Sequence, residues 1–119
     1  MSIPKIFESE YRFCLILWEH QPINSTKLAA LCKEQLGWSK ATTYTVIRRL
    51  AERGVLENNN SIVTALVTKQ EVQQSEVDAL LQRTFEGSVP AFLAAFSTCE
   101  KLTEEEAQVL SKLIENYQE

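Results

Sequence analysis

The sequence predicts a mainly α fold: a winged helix-turn-helix (three helices plus a two-stranded β hairpin) followed by a C-terminal helical region suited to dimerisation. Three observations predict it. Apolar residues recur at helical spacing through most of the 119 residues. One short β-branched stretch interrupts them, after the third helical segment. Charge is also unevenly divided: residues 1–69 hold nine Lys or Arg against six Asp or Glu, a net +3, whereas residues 70–119 hold three against ten, a net −7. The overall charge of −4 thus hides a basic front and an acidic back. Different roles are expected for the two parts, a DNA-binding domain over 1–69 and a helical dimerisation domain over 70–119.

Helical periodicity begins near Glu8, with Phe13, Ile16 and Leu17 on one apolar face and Trp18 beside them. Pro22 stops that helix, and Asn24, Ser25 and Thr26 offer caps for a second, Thr26 to Leu36, which buries Leu28, Leu31, Cys32 and Leu36. Gly37 ends it. After Trp38, Ser39 caps a third helix that runs to Gly54, a separation as short as a tight helix-turn-helix allows. Val55–Glu57 and Ile62–Thr68 then flank Asn58-Asn59-Asn60-Ser61 and read as a hairpin. From Gln70 a fourth helix reaches Phe85, where Glu86-Gly87 breaks it. Ser88 caps a short, very apolar helix with Pro90 in its first turn, where proline is tolerated. Thr103 with Glu106 forms a capping box for the last helix.

Several functions are disfavoured. Three cysteines (Cys14, Cys32, Cys99) stand far apart with no CxxC pair, so Cys14 and Cys32 read as reduced core thiols, and one histidine, His20, does not make a zinc site. No metal or cofactor is expected. Neither a Gly-rich phosphate loop nor a supported nucleophile–base pair is present, which argues against an enzyme. With no apolar run of membrane-spanning length and no signal-peptide pattern at the start, no membrane association and a cytoplasmic location are expected.

Residues 40–53 separate into two faces on a helical wheel. Thr43, Val46, Ile47 and Leu50 point inward; Ala41, Thr42, Tyr44, Thr45, Arg48, Arg49 and Glu52 form the broader outer side. Short hydroxyls, a phenol and two guanidiniums suit a helix in the major groove of a double-stranded operator, since Arg forks onto guanine and Thr touches a thymine methyl or phosphate. Ser39 and Lys40 at the helix start favour phosphate oxygen. The expected DNA-binding residues are therefore Ser39, Lys40, Thr42, Tyr44, Thr45, Arg48 and Arg49.

The run from Trp38 to Leu50 with Gly54 resembles the penicillinase-repressor family, whose recognition helix reads roughly W-S-x-x-T-V-Y-T-hydrophobic-x-R-L-x-x-K-G. The matching positions are Trp38, Ser39, Thr42, Tyr44, Thr45, Arg49, Leu50 and Gly54. Phe85-Glu86-Gly87-Ser88 resembles that family's F-D-G-S segment, and Leu102-Thr103 with the acidic helix after it resembles its last helix. The resemblance implies a transcriptional repressor, a homodimer on a palindromic operator, controlling a β-lactam or stress response gene. The expected dimerisation residues are Val89, Phe92, Leu93, Phe96, Leu110, Leu113, Ile114 and Tyr117; their apolarity independently asks for a partner surface, the alternative being that these helices fold back on their own winged helix.

The resemblance also implies a means of relief. In β-lactam-responsive relatives a sensor-protease system leads to cleavage before a phenylalanine, and alignment on Gly87-Ser88 places that bond at Ala95–Phe96, with alanine where the family has asparagine. Copper-responsive relatives use paired cysteines that Cys99 alone does not supply. The wing departs from the family in carrying asparagines rather than basic residues, so phosphate affinity should rest on Lys40, Arg48 and Arg49. That departure keeps one alternative open: a winged-helix protein–protein interaction module that has lost DNA binding.

Overall fold

All helices but the first begin where short polar side chains meet exposed backbone N–H groups. In the computed structural model, which describes residues 3–99 and 102–117 (without the side chains of Cys99, Asn116 and Tyr117), the order is α1 Glu8–His20, β1 Ile23–Asn24, α2 Ser25–Leu36, α3 Lys40–Glu52, β2 Leu56–Asn59, β3 Ile62–Ala65, α4 Lys69–Phe85, α5 Val89–Cys99 and α6 Glu104–Tyr117. Asn24 caps α2 through Oδ1, which accepts from the Thr26 N–H at 2.8 Å. Thr68 and Glu71 cap α4 reciprocally, as Thr103 and Glu106 cap α6. Ser88 Oγ accepts from the Ala91 N–H at 3.1 Å at the start of α5. Gly37 ends α2 in the left-handed region, at φ 72°, where a side chain would be strained.

The chain divides into two compact units, Met1–Glu76 and Val77–Glu119. In the first, α1, α2 and α3 enclose one core. Phe13 and Leu17 from α1, Leu28 and Cys32 from α2, and Ile47 and Leu50 from α3 meet Val55, Leu56, Val63 and Val72, all buried. Cys14 also lies within this core, where burial pushes its thiol up to about 12, an inert reduced thiol.

The hairpin expected from sequence is part of a three-stranded antiparallel sheet in the order β1-β3-β2. The added strand pairs Ile23 with Val63 and Asn24 with Ile62, and is extended by the Ser25 N–H donating to the Ser61 carbonyl at 2.8 Å. Two residues leave no alternation to read, so only the pairing reveals β1. Beyond it, Gln21 Oε1 accepts from the Ala65 N–H at 2.7 Å and Trp18 Nε1 donates to the Val67 carbonyl at 2.9 Å. These bonds fasten the end of α1 to the base of the wing.

The wing tip is tighter than its four polar residues imply. β2 and β3 pair as far as Asn59 with Ile62, leaving a two-residue turn at Asn60 and Ser61, both left-handed at φ 53° and 68°. Asparagine tolerates that region and serine less so. Ser61→Gly should therefore raise stability by about 0.5–1 kcal/mol, the αL penalty less glycine's entropic cost. Thermal unfolding checks this, and an unchanged or lower midpoint would contradict the turn assignment.

In the second unit, Glu86 and Gly87 adopt positive φ and the Gly87 N–H donates to the Leu81 carbonyl at 2.8 Å, which reverses the chain between α4 and α5. Phe85 meets Phe92 edge to face at 5.7 Å between centroids, and Phe92 stacks with Phe96 at 6.1 Å.

Candidate nucleic-acid interface

The most exposed side of α3 is built outward from its buried row. Thr43, Val46, Ile47 and Leu50 are all buried, and the side chains farthest around the helix from them are those of Ala41, Thr45, Arg48 and Glu52. Thr43, the polar member of the inward row, satisfies its hydroxyl by donating to the Ser39 carbonyl at 3.3 Å. Its polar atom therefore costs the core little.

Ser39 begins the helix. Its Oγ accepts from the Thr42 N–H at 3.1 Å and donates to Thr42 Oγ1 at 2.9 Å. Two of the sequence-predicted site residues are thus partly engaged with each other, holding the first turn in place. The predicted residues after Ser39 fall into two rows on either flank of the exposed side. Lys40, Tyr44 and Arg48 follow one another at i, i+4 spacing; Thr42, Thr45 and Arg49 lie on the other side.

The first row faces α2. Tyr44 Oη lies 3.5 Å from Thr26 Oγ1, and the Lys40 ammonium lies 5.8 Å from the Tyr44 ring centroid. Hydrogen bonding to Thr26, helped by Ser25 and by the Lys40 charge, lowers the phenol's pKa against an opposing effect of burial. An open groove beside this row is lined by Thr26, Ala29, Ala30 and Lys33 of α2 together with Ser39 and Lys40. Thr26 and Lys33 were not among the sequence-predicted residues. The signal for them was present in the tight turn, which sets the two helices side by side.

At its Arg49 end the second row approaches the start of α1, where a feature without a sequence signature appears. Glu10, only 6% exposed, accepts from Arg53 Nη1 at 2.9 Å through Oε1 and from Arg53 Nη2 through Oε2, and its Oε1 also accepts from the Phe7 N–H at 2.9 Å. Burial raises the carboxyl's pKa, but those hydrogen bonds and the charges of Arg53 and Arg49 outweigh it and hold the group below its usual value. Arg53 closes α3 as its C-terminal cap and donates further to the Lys5 carbonyl at 2.8 Å.

The wing brings no cation to the interface. Its outward face carries Glu57, Asn59, Ile62 and Thr64, with Asn60 and Ser61 exposed at the tip. Positive charge near α3 comes instead from Lys33, Lys40, Arg48 and Arg49, all exposed.

Of the residues expected at a dimer surface, Val89, Leu113 and Ile114 are exposed and Phe92, Leu93, Phe96 and Leu110 are half-buried. Tyr117 lies outside the described side chains. Val109, 59% exposed on α6, joins this apolar set and was missed from sequence because it stands beside the stripe rather than in it. Ala95 is exposed and lies with Phe96 inside α5. Among the described residues no group of three or more His, Cys, Asp or Glu is placed to hold a metal, and no helix is long and apolar enough to cross a membrane.

Comparison with known proteins agrees along nearly the whole chain. The profile of a family described as penicillinase repressor matches residues 6–116. The penicillinase repressor of Bacillus licheniformis is 22% identical over 120 residues, spanning 98% of this chain and 94% of the relative. A solution structure of the monomeric form of Bacillus licheniformis BlaI, in complex with the blaP half-operator, superimposes with a TM-score of 0.51 at 23% identity, covering 59% of this chain and 90% of the other. That likeness establishes the fold.

Proposed function

The chain belongs to the penicillinase repressor family, and from that membership we propose that it is a DNA-binding transcriptional repressor acting as a homodimer on a palindromic operator. One observation carries the reading: a capped 13-residue helix, α3, presents Arg48 and Arg49 outside its buried row, with Lys40 exposed at its start and Thr45 half-buried between them. Such a helix is about 20 Å long and fits the major groove. Arg48 and Arg49 read base edges; Lys40, with Ser39 and Thr42 at the helix start, holds phosphate; Thr45 and Tyr44 pack against bases or sugar. That a BlaI of the same fold was solved in complex with a half-operator supports DNA as the partner here.

The second unit supplies the dimer. Val89, Val109, Leu113 and Ile114 leave apolar surface in water that a second copy would cover, and the half-buried Phe92, Phe96 and Leu110 continue it. The functional division follows the charge, with the basic domain at 1–69 reading DNA and the acidic domain at 70–119 joining subunits. The protein works in the cytoplasm, and its role is regulatory rather than catalytic. Relief by cleavage at Ala95–Phe96 would require α5 to open first, because a protease takes its substrate extended and this bond lies within a helix.

The wing without a cation favours a second reading, a winged helix that binds another protein. Salt separates the two. The test is binding of the full chain to DNA fragments from the region upstream of its own gene, at two salt concentrations, with the mass of the free protein measured in parallel. About four phosphate contacts would lower affinity roughly a hundredfold for a fourfold rise in salt. Salt-sensitive binding of a dimer to one fragment is the expected result. A stable dimer that ignores every fragment at low salt would move the reading to the protein partner.

A further inference from the structure

Arg49 and Arg53 stand one helical turn apart, on the flank of α3 that faces the start of α1. Side chains at that spacing are neighbours and share access to the same group. The group here is Glu10. Its carboxylate is nearly buried, and Arg53 grips both oxygens while also donating to the Lys5 carbonyl and lying 5.4 Å from the Phe7 ring centroid. The Arg49 guanidinium makes no hydrogen bond or ion pair among the described residues, yet its charge acts on Glu10.

A buried carboxylate left without a partner is costly, so it recruits the nearest cation. Were Arg53 absent, that cation would be Arg49. We propose that Arg53 is a positioning residue: by neutralising Glu10 it keeps the Arg49 guanidinium available to DNA. Arg53 and Glu10 touch no base in this arrangement; they act through Arg49. The assignment rests on the repressor reading above and deepens it.

The distinguishing feature is an asymmetry between two variants that break the same pair. Arg53→Gln leaves Glu10 charged and draws Arg49 inward. Glu10→Gln removes the charge that would draw it. The probe is the upstream DNA fragment that the unaltered protein binds, with affinity read by fluorescence anisotropy and folding by thermal unfolding. Arg49→Ala and Arg53→Gln should each weaken binding about tenfold or more, the loss expected of one forked base contact. Arg53→Gln placed on Arg49→Ala should add nothing further. Glu10→Gln and the double variant Glu10→Gln/Arg53→Gln should stay within about twofold of the unaltered protein.

A clasp that only stabilises the fold would make Glu10→Gln and Arg53→Gln lose affinity together, and that outcome overturns the assignment. If Arg53→Gln is unfolded at the assay temperature, the double variant, which buries no unpaired charge, decides: affinity near that of the unaltered protein supports the assignment, and a loss as large as that of Arg49→Ala overturns it. An unaltered protein that binds a fragment while Arg49→Ala binds equally well overturns this assignment alone. An unaltered protein that binds no fragment removes the repressor reading and this assignment with it.

Discussion

Arg48→Ala and Arg49→Ala should each weaken binding to the operator roughly tenfold to a hundredfold, and together should bring specific binding close to the non-specific level. Both guanidiniums are exposed on α3, so their loss removes no core contact, and folding stability should stay within about 0.5 kcal/mol. Each forked contact to guanine is worth about 1–3 kcal/mol of discrimination against the wrong base. The wing adds to the effect by what it lacks. With Glu57 its one charged residue between Leu56 and Ala65, it offers no cation to replace a lost contact on α3. Titrations against the operator and a scrambled duplex of equal length measure both affinity and specificity. Arg48 lies on the exposed side toward the Tyr44 flank, whereas Arg49 lies toward α1, so the two variants should relax discrimination at different base pairs. Unchanged affinity in both would mean that the helix presents another side to DNA.

The second large effect concerns stability. Phe13→Ala should cost about 3–5 kcal/mol, the range for truncating a fully buried phenylalanine. Phe13 has no exposed surface and stacks with Trp38 at 6.0 Å between centroids, their planes 5° apart. Trp38 belongs to the turn between α2 and α3, so the loss falls where the recognition helix is set in place. Against a total stability of roughly 5–15 kcal/mol for such domains, this is a substantial fraction. Denaturant unfolding followed by tryptophan fluorescence gives the midpoint, and Trp38 itself reports the change in its surroundings. A cost below about 1 kcal/mol would show that the α2–α3 turn is supported by something other than this stack.

The recognition helix was legible because everything that defines it is local. Ser39 caps within three residues, the inward row of Thr43, Val46, Ile47 and Leu50 follows the helical period, and Gly37 marks the end of the helix before it. The capping box of Thr103 and Glu106 and the cap at Ser88 are local in the same way. The start of α1 was harder. Glu10 reaches back to the Phe7 N–H as half a capping box would, but phenylalanine has no oxygen to return the bond, so the residue pattern carries no signature.

What the sequence by itself determined is the order of helices, the caps of α2, α3, α5 and α6, the face that α3 turns to the core and the division of charge between front and back. All of these depend on residues within a turn or two of one another, or on composition alone. Only the tertiary structure decided that Ile23 and Asn24 add a third strand, that Trp18 reaches the Val67 carbonyl, and that Glu10 meets Arg53 across 43 positions of chain. Such contacts have no period and no spacing rule. They form because the apolar faces of three helices can be buried together in one way, and the polar groups carried along must then find partners where that packing leaves them.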